Sequence, residues 1–141
     1  METPGNAESM KPGFAVLVVD DDPDVLAYII ATLRRNGFTA FAANAAAEAV
    51  SVLQRYRSQI RVLLTDVVMP NMNGPELARK LTALHPDLTV VYMSGYKDEH
   101  LTRFGPLLEG CRLLSKPFTP QELVSAVQYC AGPPETRSAG S

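Results

Sequence analysis

Phe14 to Val19 is an apolar run with no polar interruption, and it stops at three consecutive aspartates, Asp20, Asp21 and Asp22. A strand with one wet face alternates apolar and polar residues. An unbroken run therefore means burial on both faces, as in a parallel sheet. Comparable runs recur at Phe38 to Ala42, Arg61 to Thr65, Leu88 to Met93 and Arg112 to Leu114. Between them, apolar residues return at helical spacing. Val25, Leu26, Ile29, Ile30 and Leu33 form one such face. Asp22 is its expected N-cap, Pro23 its first helical residue and Gly37 its stop. Ala46, Ala49, Val50 and Leu53 mark a second helix, with Asn44 as the expected cap. Leu77, Leu81 and Leu84 mark a third, opened by Pro75 after a turn-rich loop from Pro70 and ended by Pro86. Asp98 to Phe104 reads as a short helix broken by Gly105-Pro106. Thr119-Pro120-Gln121-Glu122 reads as a capping box before a last helix faced by Leu123, Ala126, Val127 and Cys130.

Five strand-and-helix units in alternation constrain the fold severely. Parallel strands need crossovers, and right-handed crossovers place helices on both faces of one sheet. The expected product is a doubly wound α/β domain with its site at the carboxyl ends of the strands. Residues 14–130 make up that domain. Residues 1–13 and 131–141 are rich in proline, glycine and small polar residues and read as flexible tails or linkers.

Composition removes several functions. Thirteen Lys and Arg against fifteen Asp and Glu give a net charge of −2. No basic excess is present to hold a nucleic acid or an anionic membrane. No apolar stretch is long enough to cross a bilayer, and the polar start is no secretory signal. Cys111 and Cys130 are too few for a disulfide framework, and with only His85 and His100 to join them a zinc site lacks ligands. Both histidines read as solvated, and the cysteine usage points to the cytoplasm.

The polar residues at the strand ends carry the chemistry. Asp20 and Asp21 follow the first strand, Asp66 the third, Ser94 and Gly95 the fourth, and Lys116 and Pro117 the fifth. A parallel sheet brings all of them to one edge. Three clustered carboxylates oppose one another's ionisation, and a hard divalent cation such as Mg²⁺ resolves the conflict with oxygen ligands. Such a pocket suits a phosphoryl group. The cation and the Lys116 ammonium balance its charge, Ser94 donates a hydrogen bond, and a carboxylate attacks to give an acyl phosphate.

Four segments in this order resemble the response-regulator receiver domain of two-component and phosphorelay signalling. They are Val18 to Pro23, Leu64 to Gly74, Tyr92 to Tyr96, and Ser115 to Phe118. The resemblance covers 14–130 and implies a flavodoxin-like sheet with strand order 2-1-3-4-5. It implies Asp66 as phosphoacceptor, and Mg²⁺ held by Asp20, Asp21, Asp66 and the backbone carbonyl of Val68. Ser94 and Lys116 become the phosphate-binding and switch residues, Gly95 leaves access open, and the peptide before Pro117 is expected to be cis. The phosphodonor is a histidine kinase or a histidine phosphotransfer protein. It would dock on the first helix near Val25 and Ile29. Val68 and Tyr96 would flank the pocket and obstruct the water that hydrolyses the acyl phosphate.

Two departures stand out. The position three before the lysine, often an aromatic switch residue in receivers, is Leu113. The broken helix at Gly105-Pro106 also differs from regulators that dimerise through that face. Both traits resemble receivers of hybrid histidine kinases and some stand-alone receivers. Three competitors fit less well. A haloacid-dehalogenase-type phosphatase needs a second carboxylate where Val68 stands. A flavodoxin-like nucleotide binder needs a Gly-, Ser- or Thr-rich loop where the three aspartates stand. A pseudoreceiver acting only as an interaction surface would have no use for the complete acidic and lysine set.

Overall fold

The computed structural model describes residues 15–70, 72–95 and 112–131. Tyr96, the segment from Asp98 to Phe104, His100, Gly105-Pro106, Cys111, the Cys130 side chain, 1–14 and 132–141 lie outside what it describes. In chain order the elements are β1 (Ala15–Val19), α1 (Pro23–Arg35), β2 (Thr39–Ala43), α2 (Ala46–Arg55), β3 (Ile60–Asp66), α3 (Gly74–Leu84), β4 (Thr89–Ser94), β5 (Arg112–Ser115) and α4 (Pro120–Ala131). The strands are all parallel and ordered β2-β1-β3-β4-β5. This is the doubly wound sheet that the alternation of segments predicts.

The unbroken apolar runs are explained by two cores, one on each face. In β1, Val16 and Val18 enter the core shared with α1 and α4, where Ile29, Leu33, Leu123 and Val127 also lie. Leu17 and Val19 enter the core shared with α2 and α3, with Leu53, Leu77 and Leu81. Successive side chains alternate in direction, so a strand covered on both sides is apolar along most of its length. Each fully buried Leu, Ile or Val contributes roughly 1.5–3 kcal/mol.

Helix starts follow local chemistry, with one correction. Asp22 caps α1, its Oδ1 accepting from Asp24 N–H at 3.0 Å and Val25 N–H at 3.4 Å. Gly37 ends the helix at φ 89°, a conformation that glycine adopts without a Cβ penalty. Asn44 does not cap α2. The N-cap is Ala45, and Glu48 Oε1 reaches back to accept the Asn44 N–H at 2.8 Å. Helix α3 begins at Gly74, one residue before Pro75, under a reciprocal box between Asn73 and Glu76. Thr119 and Glu122 form the box before α4, as their spacing predicts.

His85 is also corrected. It is half-buried, and its Nε2 lies 2.9 Å from the Ile60 carbonyl, so it ties the end of α3 to the start of β3. Ile29 is fully buried in the core, so it offers nothing to a docking partner.

Candidate functional site

All five strands point the same way, so their carboxyl ends form one edge. The register sets Val19 beside Thr65, Asp66 beside Met93 and Ser94 beside Ser115. Asp20 directly follows β1 and is fully buried, Asp66 is the last residue of β3 at 7% exposure, and Ser94 ends β4 at 3%. Asp21 stays exposed. Lys116 directly follows β5. Its amide donates to the Ser94 carbonyl at 2.8 Å, and the Lys116-Pro117 peptide is cis. The structure therefore gathers Asp20, Asp21, Asp66, Ser94 and Lys116, which the sequence scatters over nearly a hundred positions.

The ammonium of Lys116 donates to Asp20 Oδ2 at 2.9 Å and to Asp66 Oδ2 at 3.4 Å. The other oxygen of Asp20 accepts the Asp22 N–H at 2.9 Å. Asp66 Oδ1 has no hydrogen-bond partner among the described residues, although its residue is buried. Burial is the main reason the Asp66 carboxyl is pushed up from 3.8 to about 6, and the charges of Asp20 and Asp21 add to it. Lys116 pulls the other way without cancelling the rise. Burial alone would lower Lys116, but the hydrogen bond to Asp20 and the charge of Asp66 outweigh it and raise the lysine.

Oxygen ligands suit a hard cation. Asp20, Asp21 and Asp66 each offer a carboxylate oxygen, and these lie within 4.8 Å of one another. One oxygen of the buried Asp66 without a partner among the described residues, one exposed carboxylate and a surplus of negative charge fit Mg²⁺, which needs few direct protein ligands and keeps several waters. The Val68 backbone follows two residues after Asp66, and its side chain is half-buried at this edge.

Gly74 carries a constraint that its place in a turn does not by itself announce. A Cβ there would collide with the backbone carbonyl of Asp66 and come within 3.1 Å of Val67 Cα. The amide of Gly74 also donates to the Val67 carbonyl at 2.7 Å. The loop after β3 thus folds directly onto the backbone that carries Asp66, and the Asn73-Gly74 pair was the available signal. Gly95 is less constrained, since a Cβ there would meet Lys116 Cβ at an ordinary 3.6 Å. Leu113 is 39% exposed on β5.

A sequence profile of the response regulator receiver domain matches residues 16–128. The chain belongs to that family. It is 32% identical over 113 residues to the response regulator receiver protein CpdR of Brucella abortus, covering 80% of this chain and 92% of CpdR. It is 30% identical over 122 residues to the sensor kinase CckA of the same organism, covering 86% of this chain but only 13% of CckA. A crystal structure of a receiver domain protein from Clostridium thermocellum superposes with a TM-score of 0.76 at 25% identity, covering 87% of this chain and 98% of that one. The receiver fold and its place in two-component signalling are therefore established. Receivers generally bind Mg²⁺ through acidic residues, and the aspartate cluster is the corresponding feature of this one. No described helix is long and apolar enough to cross a membrane.

Proposed function

We propose that this receiver accepts a phosphoryl group from a phosphohistidine donor onto Asp66, in a Mg²⁺-dependent step. The observation that carries the reading is the state of Asp66. One oxygen is held by Lys116, while the other, on a buried residue beside Asp20 and Asp21, has no hydrogen-bond partner among the described residues. A Mg²⁺ ion held by Asp20, Asp21, Asp66 and the Val68 carbonyl would neutralise the carboxylates and the incoming phosphoryl oxygens. Asp66 supplies the attacking oxygen. The donor's N–P bond breaks as an O–P bond forms, leaving an acyl phosphate. Lys116 and the Ser94 hydroxyl would take the phosphoryl oxygens as Asp66 gives up its lysine contact. The receiver acts on itself alone, by accepting and later losing this group, and it works in the cytoplasm.

Support for the donor's approach comes from the surface beside the site. Val25 and Tyr28 of α1 share a shallow apolar groove with Phe118, Pro117, Lys116 and Gly95, and Asp24 lies on its rim. A helix of a histidine kinase or phosphotransfer protein fits this face. Output without an aromatic ring at Leu113 runs through Ser94 and the β4 and β5 ends. Val68, with Tyr96 beyond the described residues, slows hydrolysis of the acyl phosphate.

Two settings have specific support. The near-complete match to CpdR favours a stand-alone receiver, and the match to a segment of CckA favours a receiver within a hybrid kinase. Incubation with Mg²⁺ and acetyl phosphate tests the reading common to both. The intact mass should rise by one phosphate, and the gain should vanish with chelator or in Asp66→Asn. An unchanged wild-type mass overturns it.

A further inference from the structure

Among the described residues the sheet ends at β2, whose outer edge pairs with no further strand. Asp20 N–H donates to the Ala43 carbonyl at 3.3 Å, so Ala43 faces β1. In a parallel ladder alternate residues face alternate sides, so Phe41 and Thr39 also face β1, and Ala40 and Ala42 direct their N–H and C=O outward. The strand, Thr39-Ala40-Phe41-Ala42-Ala43, holds no charge, proline or bulge of the kind that normally blunts an edge. Among the described residues, one group closes it. Arg34, in the last turn of α1, reaches across so that Nη2 donates to the outward carbonyl of Ala40 at 2.7 Å.

The edge is complementary to itself. An antiparallel pair of β2 strands centred on Phe41 would set Ala40 opposite Ala42 of a second copy, and Ala42 opposite its Ala40. Each opposed pair exchanges both N–H···O bonds, which makes four. Two of the four use the Ala40 carbonyl that Arg34 occupies. Arg34 therefore competes directly with this pairing for the Ala40 carbonyl.

We propose that the β2 edge is a latent interface for a second copy of this chain, and that Arg34 holds it shut. Removing Arg34 should uncover the four-bond pairing. Because the contact is isologous, assembly closes at a dimer. The test is light scattering after size exclusion on wild type, Arg34→Ala and Arg34→Ala/Ala42→Pro. Proline at Ala42 deletes an outward N–H and leaves the ladder to β1 intact. Across about a hundredfold range of concentration, Arg34→Ala should rise to roughly twice the wild-type mass, and the double variant should return to it. The Ala42 amide should exchange more slowly as Arg34→Ala is concentrated. An Arg34→Ala mass equal to wild type, a double variant that still doubles, or growth past a dimer would each overturn the proposal. Should Arg34→Ala lose its cooperative urea transition, Arg34→Met keeps the apolar stem and replaces it. That variant should also double in mass, and a mass equal to wild type would overturn the proposal in the same way.

Discussion

Neutralising Asp66 should stabilise the fold. Asp66 sits at 7% exposure among carboxylates, with its carboxyl raised from 3.8 to about 6. A group that binds its proton more tightly when folded favours the folded state while it is protonated. The stability it lends is present below 3.8, is lost as the pH rises towards about 6, and stays lost above that. Undamped, the shift corresponds to about 3 kcal/mol. Water at the open mouth of the site screens this, leaving about 1–2 kcal/mol. Asp66→Asn keeps the shape and removes the charge, and Lys116 keeps its 2.9 Å partner in Asp20. Urea unfolding of the metal-free proteins would read the difference. The variant and wild type should nearly coincide at about pH 4, with the variant ahead by about 1–2 kcal/mol at about pH 7.5. Adding Mg²⁺ should shrink the gap by stabilising the wild type more. A variant no more stable than wild type at neutral pH, or a gap independent of pH, would refute the electrostatic account of this site.

Three further outcomes follow from the same geometry. Gly74→Ala should cost roughly 1–3 kcal/mol in urea midpoint through overpacking, because the new Cβ meets the Asp66 carbonyl, and it should also slow acetyl phosphate labelling. Lys116→Met should raise the Asp66 carboxyl above about 6, readable by carboxyl-carbon NMR titration, since the lysine is the charge that holds it down. Asp22→Ala should cost about 0.5–2 kcal/mol of thermal or urea stability with no change in the stoichiometry of labelling, because it removes the α1 cap but no member of the carboxylate cluster.

The site was legible in the sequence because its residues stand where apolar runs stop. Asp20 and Asp66 follow strands too apolar to be anything but doubly buried, and a parallel sheet leaves their ends no other place to go. The boundaries moved by only a residue, as with β2 at Thr39 and β4 at Thr89. What escaped were contacts between elements distant in the chain. The amphipathic period of α1 marks Ile29 as apolar, but packing decides that it points inward while Tyr28 stays on the surface. His85 looks like a solvated helix end until Ile60 is brought beside it. Asn44 has the right chemistry for a cap, yet Glu48 fills that place from the other side. Gly74 belongs to a turn in any reading, but its closeness to the Asp66 backbone follows only from the folded loop.

In a doubly wound domain every crossover helix sets out from the edge where the strands finish. Here each of the four described helices begins under a carboxylate, from Asp22, Glu48, Glu76 and Glu122 in turn, each accepting a main-chain N–H. These acids ring the same rim as Asp20, Asp21 and Asp66. A small anionic phosphodonor therefore meets a repulsive field before it meets any reactive group, while a protein donor with a basic face is drawn in. Salt should narrow the difference in encounter rate between two such donors, slowing the second and easing the first. On this reading the capping chemistry that starts the helices would double as a filter on what reaches the pocket.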